Sequence, residues 1–211
     1  MKEQTSQPST SAKTRRMLLL TTVLVSGLLA ACATSVQRVS ENTVKDVSGR
    51  WNDTDSRLVA EEMVSDCISR PWIAQAEKNL GHTPTVIVGE VANNSSEHIA
   101  TDTFIEDLQR SLINSGRVSF VASSSERQAV RKERQDQDSN ASDDTRKERG
   151  QEAGADFMLS GTISSIIDKE GGEAVVFYQV NLKLLSMKNN AIVWSGQKKL
   201  KKFVKRANVG L

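Results

Sequence analysis

The chain has 211 residues, of which 26% are charged and only 4% are aromatic, and its formal net charge is +2. Four basic residues and one acidic residue lie in the first 31 positions, so the other 180 positions hold 24 basic and 25 acidic residues, a net charge of −1. The excess of basic residues therefore belongs to the N-terminal segment and does not indicate a nucleic-acid-binding domain. The low aromatic content predicts an aliphatic core.

An apolar run, Met17–Ala31, follows a basic cluster that includes Arg15 and Arg16. A helix needs about 20 apolar residues to cross a bilayer, and this run is shorter. A basic segment, a short apolar run and small residues at its end are typical of a secretory signal peptide. The residues Leu29–Cys32 (LAAC) match the lipobox of bacterial lipoproteins. The alternative is a short membrane helix with a chance cysteine.

The lipobox resemblance implies that residues 1–31 are removed and that Cys32 becomes the lipid attachment site, with a diacylglyceryl thioether and an acylated amine (palmitate). An aspartate at the next position would favour the inner membrane in enteric bacteria, so Ala33 favours the outer membrane. Several acyl chains anchor a protein firmly, since each buried CH₂ contributes about 0.8 kcal/mol. We expect the chain to be lipid-anchored on the periplasmic face of the outer membrane.

Three segments are predicted: a signal peptide at 1–31, a flexible lipid-anchored tether at 32–47, and a globular domain at 48–211. Residues Ala33–Val47 are polar and without period, as a tether would be. With Cys32 acylated, Cys67 has no disulfide partner, and its place in an apolar helical stripe indicates a buried thiol.

The sequence pattern predicts three helices. The first begins near Ser56, with Asp53 or Asp55 as its N-cap, and is stopped by Pro71. The second ends at Gly116, which can adopt a left-handed conformation. The third is capped by Ser123–Ser125, and its continuation, dense in charges of both signs, is predicted as a solvated helix broken near Ser139–Ser142 or, alternatively, as an arm that docks on a partner.

The remaining elements are predicted strands. Thr85–Val91 is nearly continuously apolar, which is typical of a strand covered on both faces, and ANNSSE after it is predicted as a turn. A second short strand is RVSFVAS. Three longer strands near the C-terminus are joined by tips at EGGE (170–173) and KNN (188–190), whose residues tolerate positive φ. On the middle strand one face is predicted to be buried: Val176, Tyr178, Val180, Leu182 and Leu184. The element order predicts a single α/β domain with a mixed four- to five-stranded sheet flanked by helices.

No catalytic or cofactor motif is found. The chain lacks GxxxxGK[ST], G-x-S-x-G and HExxH, and Cys67 belongs to no CxxC pair. His82 and His98 lie in loop-like segments without a metal-ligand pattern. We therefore expect no enzymatic activity, no metal site and no cofactor.

The segment KKLKKFVKR, Lys198–Arg206, holds six basic residues in nine. Lysines on an edge strand discourage pairing with the edge of another sheet. Alternatively, the segment contacts anionic lipid head groups or an acidic partner. The sequence leaves both interpretations open.

Five stretches, in order, resemble the LpoB family of penicillin-binding protein activators: SGRWNDTDSR, VGEVANNSSEHI, INSGRV, GADFMLSGTI and IVWSG. The resemblance covers the chain from about Ser48 onward. It implies a fold similar to the N-terminal domain of TolB. It also implies an outer-membrane lipoprotein that binds a bifunctional class A penicillin-binding protein, activates it and so regulates peptidoglycan synthesis.

On this interpretation the partner contacts exposed polar structure beside the sheet. The candidates are the predicted turn at Asn93 and Asn94 and the segment around Arg146, since arginines often contribute strongly at interfaces. The alternative for Arg146 is a local ion pair with Asp143.

One feature departs from the family. Its well-studied members have a long proline-rich tether, whereas Ala33–Val47 spans at most ~50 Å. A structural or assembly lipoprotein of the cell envelope, similar to CsgG, is therefore the alternative function. The predicted strands show no clean lipid-facing side, which argues against a pore.

Overall fold

The structure, a computed structural model, describes residues 35–205. Residues 35–43 form no helix or strand, and the Thr43 amide donates a hydrogen bond to the Ser40 carbonyl (3.0 Å). All helices and strands of the described chain lie in one compact unit, Val44–Leu211. Its four helices are α1 (Asp53–Ser69), α2 (Trp72–Leu80), α3 (Thr101–Asn114) and α4 (Ser124–Asn140).

The helix α1 begins at Asp53, three residues before the predicted start near Ser56, and its N-cap also differs from the predicted one. Asn52 is the N-cap: its side-chain oxygen accepts from the Asp55 amide (3.1 Å), and the Asp55 carboxylate accepts from the Asn52 amide (3.0 Å). This reciprocal capping box places Asp55 three positions inside the helix. The prediction of Asp53 or Asp55 as the cap is therefore wrong.

Pro71 ends the first helix as predicted, but the helix that follows it was not predicted. Proline lacks an amide hydrogen and has a helical φ, so it suits the beginning of a helix as well as the end of one. Here Pro71 is the N-cap of α2, and Trp72, Ile73 and Ala76 of that helix are buried.

A mixed five-stranded sheet has the order β2-β1-β3-β4-β5. β1 pairs in parallel with β2 and β3, whereas β4 pairs antiparallel with β3 and β5. The strands are β1 (Thr85–Asn94), β2 (Ser119–Phe120), β3 (Phe157–Glu170), β4 (Glu173–Ser186) and β5 (Ile192–Lys205). The mixed α/β fold class predicted from the sequence is confirmed.

Two strand predictions are wrong in detail. β1 is not covered on both faces, because Val86, Val88 and Val91 are buried whereas Glu90 on the other side is exposed. It also extends through Asn94 after an irregularity between Val88 and Val91, since these residues still pair with β3. The second predicted strand is shortened to the two residues of β2.

The two predicted tips between the C-terminal strands and the predicted helix end at Gly116 are confirmed. Gly171 (φ 55°) and Gly172 (φ 85°) join β3 to β4, and Asn190 (φ 61°) lies between β4 and β5. Gly116 (φ 63°) follows α3 in the left-handed conformation. α4 begins with the capping box of Ser123 and Glu126 and ends at Asn140, close to the predicted break.

One hydrophobic core lies between the sheet and the helices. The predicted stripe of β4 supplies five buried side chains, from Val176 to Leu184. α1 contributes Val59, Met63 and Cys67, among others, whereas α4 contributes no buried residue. The core is largely aliphatic, as the composition predicts, with Tyr178 and Phe104 as its largest fully buried side chains.

Candidate docking surface

The two faces of the sheet differ in burial. The face toward the core carries the buried residues of β1, β3 and β4, whereas no residue on the other face is fully buried. We call the second one the open face. Its registered rows across β3, β4 and β5 are Ser160–Lys183–Ser195, Thr162–Asn181–Gln197, Ser164–Gln179–Lys199, Ile166–Phe177–Lys201 and Asp168–Val175–Phe203.

A shallow depression of about 570 Å³ lies on the open face. Its charged groups are Glu90 and Lys183, and most of the other side chains are hydroxyls or amides. The lining residues are Glu90, Ala92, Ser160, Gly161, Thr162, Asn181, Lys183 and Ser195. Such a surface can hydrogen-bond to a polar partner.

β5 is an edge strand, and its lysines alternate between the two faces. Lys198 and Lys202 point toward the helices, where Lys198 pairs with Glu62. Lys199 and Lys201 are exposed on the open face. The period of two in KKLKK (198–202) therefore separates the two lysines that pair on the helical side from the two that are exposed on the open face.

Lys202 is the centre of an ion-pair cluster. Its ammonium lies 2.5 Å from the Asp55 carboxylate and 2.8 Å from the Asp46 carboxylate, and it donates to the Arg50 carbonyl (3.1 Å). Burial lowers the pKa of Lys202, but the hydrogen bonds to the two carboxylates outweigh it, so the pKa is raised overall. The hydrogen bond from Lys202 is also the main reason why the pKa of Asp46 is lowered.

The segment Val44–Asn52, which we call the strap, is held at a second point as well. The Tyr178 hydroxyl donates to the Glu97 carboxylate (2.7 Å) and lies 3.1 Å from the Gly49 carbonyl oxygen. Glu97 also accepts from the Trp51 amide (3.2 Å). Burial and the Glu97 carboxylate raise the pKa of the Tyr178 phenol. The strap is thereby fixed to the domain before the first helix begins.

Asn93 and Asn94 were predicted to form an exposed turn, and this is wrong: both belong to β1. The Asn93 side chain accepts from the Ser95 amide (3.0 Å) and donates to the Glu97 carbonyl (2.7 Å), so it shapes the turn that carries Glu97. Asn94 is exposed and lies opposite Ser164 of β3. Their role as partner contacts stays a prediction.

Arg146 lies in the irregular segment between α4 and β3. Its guanidinium contacts the Asp143 carboxylate (3.1 Å), which is the local pair considered as the alternative. Within residues 35–205, no hydrogen bond or ion pair joins it to Asn93 or Asn94. Its segment enters β3 at Phe157, opposite Val86, whereas Asn94 lies at the far end of β1. A partner contact by Arg146 also stays a prediction.

Neither Lys202 nor Glu97 was singled out from the sequence. Lys202 could have been found from the alternation of β5, which puts it on the same face as Leu200 and Val204. Glu97 gives no local signal, because its partners are far away in the chain: Tyr178 is 81 positions distant.

The other chemical candidates lie elsewhere. The predicted lipid site, Cys32, lies outside the described residues. Cys67 is buried, and burial raises the pKa of its thiol to about 12, so it is not a reactive nucleophile at neutral pH. Among residues 35–205 no cluster of three or more histidine, cysteine or acidic side chains could hold a metal ion. No helix in that range has the length and apolarity needed to cross a membrane.

A mixed sheet with helices on one face and the other face open defines this chain as a single α/β domain. The model of the peptidoglycan-synthase activator LpoB family matches residues 55–200, and the chain belongs to that family. No curated protein sequence matches the chain.

Three solved structures illustrate the similarity. The LpoB C-terminal domain from Salmonella enterica is 17% identical (TM-score 0.39), and the match covers 72% of this chain and 99% of that domain. The LpoB C-terminal domain from Escherichia coli is 16% identical (TM-score 0.39), and the match covers 68% of this chain and 98% of that domain. The NMR structure of E. coli LpoB is 14% identical (TM-score 0.40), and the match covers 96% of this chain and 91% of that one.

Proposed function

We propose that this protein is a lipoprotein of the outer membrane, anchored through Cys32, that binds and activates a class A penicillin-binding protein. The observation that carries the proposal is the match to the activator family over residues 55–200, which includes most of the sheet and all four helices except the first two residues of α1. The lipobox at Leu29–Cys32 supports the anchor.

The described domain supports an action by contact. Its polar side chains on the open face offer hydrogen-bonding groups and free lysines, whereas its one described thiol is buried. The protein therefore stimulates the synthase without catalysing a step itself, and it needs no cofactor.

The tether limits how far the domain can reach. Since the strap belongs to the compact unit, only residues Ala33–Thr43 separate it from the proposed anchor, and they span at most ~40 Å when fully extended. The domain is thus held close to the outer membrane. Stimulation in cells depends on whether the synthase comes within that distance.

The test is glycan-strand synthesis by the cognate class A synthase in detergent, with and without the purified protein. We expect stimulation by the wild-type chain and a reduced effect for Arg146→Ala. Arg117→Ala is the matched control, because Arg117 is an exposed arginine for which the described residues provide no ion pair. Absence of stimulation by the wild-type chain would contradict the activator function. Equal stimulation by Arg146→Ala and Arg117→Ala would remove only Arg146 from the contact surface.

A second arm tests the tether in cells. If the short tether holds a competent domain out of reach of the synthase, the wild-type chain should stimulate synthesis in solution but not in cells. A chain with residues 33–43 lengthened by a flexible insert should then stimulate synthesis in cells as well. The anchor itself is tested by Cys32→Ser, which should block palmitate labelling and leave uncleaved precursor; normal processing of that variant would contradict lipid attachment at Cys32.

A further inference from the structure

One end of the open face combines exposed apolar side chains with free lysines. Ile166 and Phe203 are 67% and 64% exposed. Phe177 lies between them, in one row with Ile166 and Lys201. We call Ile166, Phe177, Lys199, Lys201 and Phe203 together the basic–apolar end.

The charge of this end is available to a partner. Lys199 and Lys201 form no ion pair with any of residues 35–205, in contrast to Lys198 and Lys202 of the same strand. Three acidic side chains share the open face here: Asp168 lies in the row of Phe203, and Glu170 and Glu173 lie in the next row. Lys205, two residues after Phe203 and in the row of Glu170 and Glu173, pairs with Glu173.

We propose that the basic–apolar end binds the surface of an anionic phospholipid membrane. Lysine ammonium groups near such a surface are attracted to the lipid head groups, and neighbouring aromatic side chains insert at the boundary of the acyl chains. Phe203 is exposed and Phe177 is partly buried, and both lie beside Lys201 on the open face. The occupant is thus the lipid surface and not a second strand.

The composition of the surface favours lipid over an acidic protein. Protein interfaces are enriched in arginine and depleted in lysine, because the planar guanidinium forms paired hydrogen bonds with carboxylates. The five rows of the open face contain lysines and no arginine. An ammonium group acts instead as a point charge, which suits a fluid surface of head groups without fixed partners.

The attachment of the strap brings this end toward the membrane. Lys202, which holds Asp46 of the strap, lies between Lys201 and Phe203 in β5. The chain therefore enters the domain at the same end of the sheet as the proposed lipid contact. That this end of the sheet faces the membrane rests on the proposed anchor at Cys32, from which at most ~40 Å of chain leads to the strap.

The experiment is co-sedimentation of a non-acylated chain, Ala33–Leu211, with phospholipid vesicles. That chain keeps the whole folded unit, since every core residue lies between Trp51 and Val204. The vesicles contain phosphatidylglycerol and phosphatidylethanolamine, or phosphatidylcholine alone. We expect binding to the anionic vesicles only, weakened by salt.

The variants locate the contact. Lys199→Gln with Lys201→Gln should reduce binding by roughly 30-fold, since each lysine at an anionic surface contributes about fivefold. Phe203→Ser should reduce it further. The control is Lys78→Gln with Lys188→Gln, which removes the same charge from exposed positions elsewhere and should leave binding nearly unchanged. Equal binding to both kinds of vesicle, or equal binding by the two double variants, would overturn the proposal.

The synthase assay separates this proposal from the proposed function. The vesicle result needs no synthase, so lipid binding with no stimulation would contradict only the activator function. If Lys199→Gln with Lys201→Gln abolishes stimulation in detergent and the wild-type chain shows no preference for anionic vesicles, this end is a protein contact and lipid binding is wrong.

Discussion

The two faces of one sheet have different tasks, although they are made from alternate residues of the same strands. On β4 the side chains from Val176 to Leu184 that face the helices are buried, whereas Gln179, Asn181 and Lys183 between them face outward. On β5 the same alternation places Lys198 and Lys202, which pair with Glu62 and Asp55, on the covered face and Lys199 and Lys201 on the open face. The covered face holds the fold together, and the open face is free to bind. Substitutions matched across the two faces should separate stability from binding.

The largest expected effect is in the core between the covered face and the helices, where Phe104 of α3 lies. Phe104→Ala removes a fully buried ring, 0% exposed, that packs edge-on against Trp51, and should reduce the free energy of unfolding by about 3–5 kcal/mol. Phe203→Ala on the open face should change it by less than about 0.5 kcal/mol. Urea unfolding of both variants measures the difference. Similar losses would show that the open face is packed against something.

The next effect compares neighbouring lysines of β5. Lys202→Met leaves Asp55, which is 7% exposed, without its cation and should destabilise the domain by about 2–3 kcal/mol, because a buried carboxylate loses its partner. Lys201→Met should be nearly neutral. Equal urea midpoints for the two variants would contradict the assignment of Lys202 as a structural lysine.

The same cluster predicts a dependence on pH. The lowered pKa of Asp46 means that its contribution is present above the unfolded value of about 3.9 and is lost as the pH falls through the folded one. The raised pKa of Lys202 adds stability below about pH 10.4 that is lost as the pH rises through its folded value. In Lys202→Met the free energy of unfolding should therefore fall less steeply with pH at both the acidic and the alkaline end of the range. If its pH dependence is unchanged, the cluster is not the source of that dependence.

A glycine pair tests the strap. A methyl group at Gly49 would overlap a methyl of Val204 and lie 3.2 Å from Val176, so Gly49→Ala should cost about 1–3 kcal/mol. At Gly154 nothing lies within 4 Å of an added methyl, and Gly154→Ala should have little effect. Thermal unfolding of the two variants shows whether the strap belongs to the folded unit.

The smallest effect concerns the thiol of α1. Cys67→Ala removes one buried sulfur atom and should cost about 1 kcal/mol. Because burial raises the thiol pKa to about 12, native protein should resist a bulky thiol reagent until it is unfolded. Rapid labelling of the native protein would show that α1 is not packed as described.

The fold could be predicted where periodicity and turn residues agree. Tyr178 and its neighbours follow a period of two, and EGGE and KNN supply the positive φ angles that the tight connections need. The helix α2 was missed because Pro71 ends one helix and begins another, and a local rule cannot choose between these roles.

The contacts that fix the strap could not be predicted in the same way. Lys202 lies 156 positions from Asp46 and 147 positions from Asp55, and it meets them only because β5 lies beside α1. Asn93 was predicted to be free at a turn, whereas its amide holds the chain around Glu97. The proposed surface contacts at Asn94 and Arg146 depend on a partner whose own surface is not encoded in this chain.

The most direct test of the central claim, that this domain acts by binding a peptidoglycan synthase, is capture on an immobilised chain. The chain Ala33–Leu211 is coupled to a support and exposed to the purified, detergent-solubilised class A synthase, with Phe104→Ala as the control for a destabilised fold. We predict saturable retention of the synthase by the wild-type chain and reduced retention by that control. No retention by a wild-type chain shown to be folded would contradict the account.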